Sequence, residues 1–515
     1  TSRFLQHFPT EFTSPESAQE PRNPQSRAPM EGQGNPPNKR AALSLPGAAA
    51  TAPGTSRDRL IRLPDSLLVC ILLKLGTNEA IKASALSRHW GRVWAQIPDL
   101  NFDDVGSSVP ACALAAYKAH GGDDIHSLTV SLNQANAQET TAWLSLAAPL
   151  LSGRLHVDHR RKVTRETLQL FLGEEDAMVR RAAVELLCFK KATEILMDLG
   201  FHALALPPSG VFDLLRVMLL EHFWFRGQIS VSNTMFPSLQ KLTIRRVRGL
   251  VGLTLNSKSL LNIRLSLLLE IQRLIILAPE LNKLEVTFCF YNAPTPVASI
   301  AAEKLEELRW EVPCVPELKG MPQLRLLGAP PITMLWPEDI CAEFLNCFPA
   351  VNHLELQIRP GLRTNGSLVA LEDITIPSVN TLGLYLETND HVFEGRVLQL
   401  LAKRSGIRKL NLSFQSRHEH VFPFQVQGSC LPHCICHTEP RLWEAEVVQM
   451  GALEEVEIVN FHGAAGEAYL VEQLVKRAPT LKQLRVTSKV EDHFLDYIGN
   501  LCPPKCTVEI VVALE

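Results

Sequence analysis

A nine-residue phrase recurs through the lower half of the chain, and it limits the possible folds more than any other feature. Its copies are FPSLQKLTI from Phe236, SKSLLNIRL from Ser257, APELNKLEV from Ala278, AEKLEELRW from Ala302, MPQLRLLGA from Met321, FPAVNHLEL from Phe348, IPSVNTLGL from Ile376, RSGIRKLNL from Arg404, MGALEEVEI from Met450 and APTLKQLRV from Ala478. The shared form is Leu-x-x-Leu-x-Leu with apolar substitutes, usually with a proline or small residue two positions before the first Leu, and a weaker copy lies near Phe212. Successive starts differ by 21, 21, 24, 19, 27, 28, 28, 46 and 28 residues. One such unit cannot bury its leucines alone, whereas units stacked in register form a continuous core.

That phrase and period are the marks of leucine-rich repeats, in which each unit gives one strand and a returning helix or irregular arc. The expected fold is therefore α/β, a curved solenoid with a parallel sheet on its concave face. Side chains alternate across a strand, so the leucines point inward and the residues between them point to the concave face. Ten of those flanking residues are candidates for holding a partner: Lys241, Arg245, Arg264, Glu285, Arg309, His353, Glu355, Tyr385, Asn411 and Arg485. The row is polar and mixes charge signs, which suits a protein or peptide better than a uniformly charged polymer.

Upstream, residues 58–104 predict three short helices. Leu67, Leu68, Ile71, Leu72 and Leu75 recur at helical spacing after Pro64 and Asp65, a proline near a helix start with an acid in the first turn. Thr77 and Asn78 are candidate caps for a second helix, and Leu86, Trp90, Val93 and Trp94 line a third that Pro98 stops. So short a stretch rarely buries a self-sufficient core, and each large side chain left exposed forfeits roughly 1.5 to 3 kcal/mol. The excess of apolar residues predicts an interaction module.

The signatures Leu63-Pro64-Asp65-x-Leu67-Leu68-x-x-Ile71-Leu72 and Ala85-Leu86-Ser87-Arg88-x-Trp90-x-x-Val93-Trp94 resemble an F-box, the module that docks substrate receptors onto the Skp-type linker of cullin-based ubiquitin ligases. The resemblance implies that Leu63, Pro64, Leu67, Leu68, Ile71 and Leu72 face the linker, with Trp90 and Trp94 packing or helping to dock. Gly91 stands inside the third helix, where many relatives carry a basic residue and where glycine costs about 1 kcal/mol relative to alanine. The segment LEEVEIVNFHGAAGEAYLVEQLVKRAPTLKQLRV from Leu453 resembles the C-terminal part of plant-type F-box, leucine-rich-repeat proteins of the FBD class. Together these resemblances imply a non-catalytic substrate-recognition subunit that binds a Skp-type linker, through it a cullin, and a protein substrate on the repeats.

The expected organisation is a disordered tail over 1–57, the F-box over 58–104, a less regular segment over 105–235 that holds early divergent repeats, regular repeats over 236–449 with an insertion near 415–449, and the FBD-like segment over 450–515. The tail is rich in Pro, Ser, Gly, Gln and Ala, so ordering it would bury little. Met30 opens a stretch like an ordinary leader and is a possible true start. Within the less regular part, 125–132 alternates like a strand, 140–151 and 164–172 have helical patterns, and 182–199 mixes both signals.

Charge and chemistry narrow the remaining classes. A net charge of -3 gives no general reason to expect nucleic acid. The absence of any apolar run near the roughly 20 residues of a membrane span, or of a secretory signal, points to a soluble chain in the nucleus and/or cytoplasm. Twelve cysteines spread singly fit buried thiols in a reducing compartment. Cys430, Cys434, Cys436 and His437 have the donor types of a zinc site, but their spacing on one short loop is poor for sharing an ion. No metal and no cofactor is therefore expected. No Walker loop, G-x-S-x-G elbow or H-E-x-x-H helix supports catalysis. Two rival classes are a repeat scaffold that binds partners without a ligase, and a metal-dependent sensor or enzyme built on the Cys430 to His437 cluster.

Overall fold

The computed structural model describes residues 63–134, 136–159, 182–290, 293–330, 339–358, 376–387, 394–402, 406–415, 449–488 and 493–512. The chain divides into two compact units, Thr1–Pro64 and Asp65–Glu515. Only Leu63 and Pro64 of the first are described, so the architecture below is that of the second. The expectations for the tail over 1–57, the helix over 164–172, and residues 416–448 of the insertion with their Cys430, Cys434, Cys436 and His437 lie outside the described residues.

Three short helices open the second unit: α1 (Asp65–Leu75), α2 (Thr77–Ser84) and α3 (Arg88–Trp94). Asp65 in the first turn of α1 and Lys74 in its last complement the helix dipole. Gly76, at φ 82, makes the break into α2, where no side chain caps the helix. Thr77, expected as a cap, instead accepts the Asn101 N–H at 2.7 Å and so ties α2 to the first strand. Ser87 does cap α3, its hydroxyl accepting from the Trp90 N–H at 3.3 Å.

Twenty strands among the described residues form one sheet. They are β1 (Asp99–Gly106), β2 (Ile125–Gln134), β3 (Leu151–Asp158), β4 (Ala183–Glu185), β5 (Glu194–Ala205), β6 (Val217–Ser232), β7 (Lys241–Asn256), β8 (Asn262–Leu268), β9 (Arg273–Leu277), β10 (Lys283–Thr287), β11 (Val297–Ala301), β12 (Glu307–Glu311), β13 (Glu317–Lys319), β14 (Leu326–Gly328), β15 (His353–Ile358), β16 (Thr381–Glu387), β17 (Lys409–Gln415), β18 (Glu455–Phe461), β19 (Gln483–Ser488) and β20 (Thr507–Val512). The main ladder is parallel throughout. It runs β1-β2-β3-β5-β6-β7-β8-β10-β12-β14 and continues in sequence order from β15 to β20. One apolar residue of each strand keeps a common register, from Leu100 opposite Leu128, through Leu242, Ile263 and Leu284, to Leu484 opposite Val508. All three apolar positions of the phrase are buried in most copies, as with Leu239, Leu242 and Ile244. Strands β1, β2 and β3 join the same ladder upstream of the clear phrases.

How a unit returns depends on its length. Where starts are 19 to 24 residues apart, the return is the short strand β9, β11 or β13, and these stack on the far end of β7 as a second parallel ladder. In the described units of 27 or 28 residues, a helix returns instead: Asp339–Asn346, Glu394–Ala402 and Ala465–Arg477. Two more helices, α4 (Val109–Ala119) and α5 (Ala137–Ala147), return between β1, β2 and β3. A helix rises about 1.5 Å per residue and a strand about 3.3 Å, so a helix needs about twice the residues to cover the same distance.

Among the described residues, six units turn their corner at one left-handed residue placed four positions after the common-register residue. These are Asp104 (φ 54), His222 (φ 51), Arg246 (φ 53), Leu267 (φ 56), Phe288 (φ 54) and Asn460 (φ 58). The repeated corner redirects the chain toward its return, and in β6 and β7 it falls inside one long strand whose far end pairs on beyond it. Among the described residues, no helix is long and apolar enough to cross a membrane.

Candidate functional site

Two surfaces are built by these elements. On the helices, burial divides the sequence-predicted docking residues into two sets. Leu68, Leu72, Trp90 and Trp94 are buried within the chain, Ile71 and Leu63 are half-buried, and Pro64 and Leu67 are exposed. Trp94 is fully enclosed, edge-on to Tyr117 of α4 with ring centroids 6.0 Å apart. The Tyr117 hydroxyl donates to the Asp124 carbonyl at 2.8 Å, with the Ile97 carbonyl at 3.1 Å, and burial foremost pushes its pKa up to about 12.

Several large apolar side chains remain uncovered in the same helical segment. Leu67 is 51% exposed, Leu73 45%, Leu75 53%, and Leu86, in the turn before α3, 75%. Leu73 is not among the residues the sequence singles out, whereas Leu75 belongs to the helical stripe and Leu86 to both the stripe of the third helix and the second F-box-like signature. On α1 the apolar residues cover more than one face, and only the packing of α2 and α3 decides which leucines stay outside. Gly91 is buried because His120, just after α4, lies against it: a Cβ at position 91 would stand 2.5 Å from His120 Cε1.

The second surface is the outer face of the main ladder, opposite the leucines. Here cross-strand pairs join many of the sequence-predicted residues. Arg264 Nε meets Glu285 at 2.9 Å, Arg309 Nη2 meets Glu355 at 2.9 Å, and Arg485 Nη2 meets Glu509 at 3.1 Å. Arg245 Nη1 lies 3.9 Å from Glu221. Lys241 stands at the start of β7 in register with Val217 and Asn262. In the middle of the array, His353 Nε2 lies 3.9 Å from Glu355, and Tyr385 is hydrogen-bonded to the same carboxylate. Burial holds the His353 pKa below its ordinary value despite Glu355. Asn411 follows one strand on, in register with Gly383. Arg485 is on β19, three strands beyond β16, outside this central group. Gly328 and Gly383 fall into the row of Arg309, Glu355 and Asn411 through strand register, which no local sequence pattern carries.

Asp198, Glu221 and His222 place possible metal-ligand atoms within 4.8 Å of one another. Positive charge is already supplied there, since Arg246 Nη1 lies 3.7 Å from Glu221. His222 Nδ1 is bonded to Asp198 at 2.9 Å.

Residues 60–100 match the F-box domain. The short helices of this segment thus hold an F-box domain, and the parallel repeat ladder that follows is consistent with leucine-rich repeats. Among curated proteins, the chain is 28% identical over 251 residues to an F-box/FBD/LRR-repeat protein of Arabidopsis thaliana, covering 46% of this chain and 47% of that one. It is 29% identical over 210 residues to a second F-box/FBD/LRR-repeat protein of the same plant, covering 37% and 43%. A short match of 59 residues at 44% identity, 12% of each chain, joins it to an Arabidopsis F-box protein. The alignments span about half the length of the longer-matching relatives.

Proposed function

We propose that this chain is the substrate-recognition subunit of an SCF-type (Skp-cullin-F-box) ubiquitin ligase. The helices dock a Skp-type linker, the linker brings a cullin, and the outer face of the ladder holds a protein substrate. The observation that carries the reading is the exposure of Leu67, Leu73, Leu75 and Leu86 in a segment that matches the F-box domain. Large apolar side chains left exposed within one short segment mark a protein-interaction surface, since each gains roughly 1.5 to 3 kcal/mol when covered. Leu63 and Pro64 precede these leucines in sequence and are proposed to contribute. Leu68, Leu72, Trp90 and Trp94 support it from beneath.

Such a subunit needs no catalytic residues of its own. Its effect is to hold a substrate beside a separately supplied ubiquitin-carrying enzyme and so raise the effective concentration. It acts where its linker and cullin are, in the nucleus and/or cytoplasm.

The test is co-precipitation of the full chain with a Skp-type linker, comparing wild type with Leu67→Asp and with a Leu63→Ala, Pro64→Ala double variant. Recovery from wild type with loss in both variants is expected. Equal recovery from all three, or none from wild type, would overturn the docking reading.

A further inference from the structure

The free cysteines among the described residues sit in different surroundings. Cys289, Cys314 and Cys341 are buried, whereas Cys70, Cys112 and Cys347 are exposed. Cys502 and Cys506 are half-buried, and they combine partial access with direct contact, because the two thiols are hydrogen-bonded to one another.

The backbone holds them there. Cys502 follows the helix His493–Leu501, and Cys506 precedes β20. Between them stand Pro503, Pro504 and Lys505, and each proline ring fixes its own φ. The Cys506 N–H donates to the Pro503 carbonyl at 2.8 Å and closes a turn, while the Thr507 N–H donates to the Lys482 carbonyl at 2.8 Å and anchors the start of β20. A connection this short keeps the two Cα atoms near the separation that a disulfide spans. With the sulfurs already in contact, side-chain rotation brings them to bonding distance.

The hydrogen bond gives the two sulfurs different roles. Cys502 donates to Cys506, and burial foremost, then Cys506, pushes the Cys502 pKa up to about 12. Burial also raises the Cys506 pKa, but the bond from Cys502 and a backbone bond with Leu484 pull it back. Cys506 therefore loses its proton first and is the attacking sulfur. A dithiol is a strong oxidant when closed only where its thiolate form is stabilised. Here the thiolates are disfavoured, so closure is slow at neutral pH and its product is the stable form.

We propose that Cys502 and Cys506 are a thiol–disulfide exchange site that takes a small-molecule disulfide as its oxidant and closes into a reversible intrachain disulfide. The Cys506 thiolate attacks one sulfur of the small disulfide, forming a mixed disulfide and releasing one thiolate. Cys502 then gives its proton to solvent, and its sulfur attacks the Cys506 sulfur and expels the second thiolate. Two protein thiols lose two electrons and two protons, and one small disulfide becomes two thiols. The new bond ties the end of the helix His493–Leu501 to the start of β20. Nothing in this step depends on docking or on the outer face.

The experiment equilibrates the reduced full chain in mixtures of reduced and oxidised glutathione, alkylates the remaining thiols, digests with a protease that spares Lys505, and measures peptide masses. In wild type, the peptide carrying both residues is expected unalkylated and two hydrogens lighter, at a glutathione ratio that leaves Cys70 and Cys112 alkylated, because the second thiol is supplied within the chain. Cys502→Ser and Cys506→Ser each abolish that peptide. Closure in wild type speeds up about tenfold from pH 7 to pH 8, since the attacking thiolate is still a minor form there. Alkylation of both thiols at every ratio that spares Cys70 and Cys112 would overturn the inference, as would a link from either to another cysteine or to a second copy. A closure rate that does not change with pH would also contradict it.

Discussion

Gly91 and His120 show how a residue unfavourable for its own helix is required by a neighbour. Alanine is about 1 kcal/mol better than glycine inside a helix, but a Cβ at 91 would meet the His120 ring. Gly91→Ala is therefore expected to stabilise by about 1 kcal/mol only in a His120→Ala background, and by less, or not at all, with His120 present. A denaturant double-mutant cycle measures the difference, and additivity would contradict the contact. His159 is a second case. It is buried, and burial, then His202, lowers its pKa from 6.5 to about 4. The folded pKa lies below the unfolded one, so the unfolded chain takes up the proton first. Stability is complete above about pH 6.5 and falls as pH drops toward 4, by up to about 3 kcal/mol. Unfolding of wild type and His159→Gln should converge as the pH is lowered through this window, and a constant gap would contradict the assignment.

At the scale of the element, the corner and the return path matter most. A non-glycine residue in the left-handed region is disfavoured by roughly 1 to 2 kcal/mol, and β-branched residues suffer most. Arg246 is such a corner residue, with a half-exposed side chain. Arg246→Val is expected to destabilise by about 1 to 2 kcal/mol, well beyond an ordinary surface change, while Arg246→Gly stays near neutral. Equal midpoints for the two would remove the corner strain from the account. The helices divide similarly. Leu67→Asp should leave the unfolding midpoint nearly unchanged, whereas Trp94→Ala should cost about 3 to 5 kcal/mol, because Trp94 is fully enclosed against Tyr117. The leucine phrase was legible in sequence because each copy faces the same environment, so the register residues Leu242, Ile263 and Leu284 look alike. Less legible was the choice of strand or helix for the return. It is set by residues available per unit, so the interval carried the information while the local pattern did not.

For the whole molecule, what sequence leaves undecided is what faces what. Upstream of Phe236, the strands reach the ladder with few phrase-like signatures, and β5 lies partly where helical and strand signals mix over 182–199. Their membership depends on pairing with neighbours already in place. The outer face is similar, since Gly328 and Gly383 are unremarkable until the register sets Arg309, Glu355 and Asn411 beside them. On the helices, the indole of Trp94 is sealed inside the chain while Leu67, Leu73, Leu75 and Leu86 are not, so the apolar excess seen in sequence is only partly absorbed. That surplus is the central claim. Hydrogen exchange of the full chain, with and without a Skp-type linker, tests it most directly. The account predicts new protection confined to the segment from Leu63 to Leu86, with the ladder unchanged. Protection spread over the outer face of the ladder, or none anywhere, would contradict it.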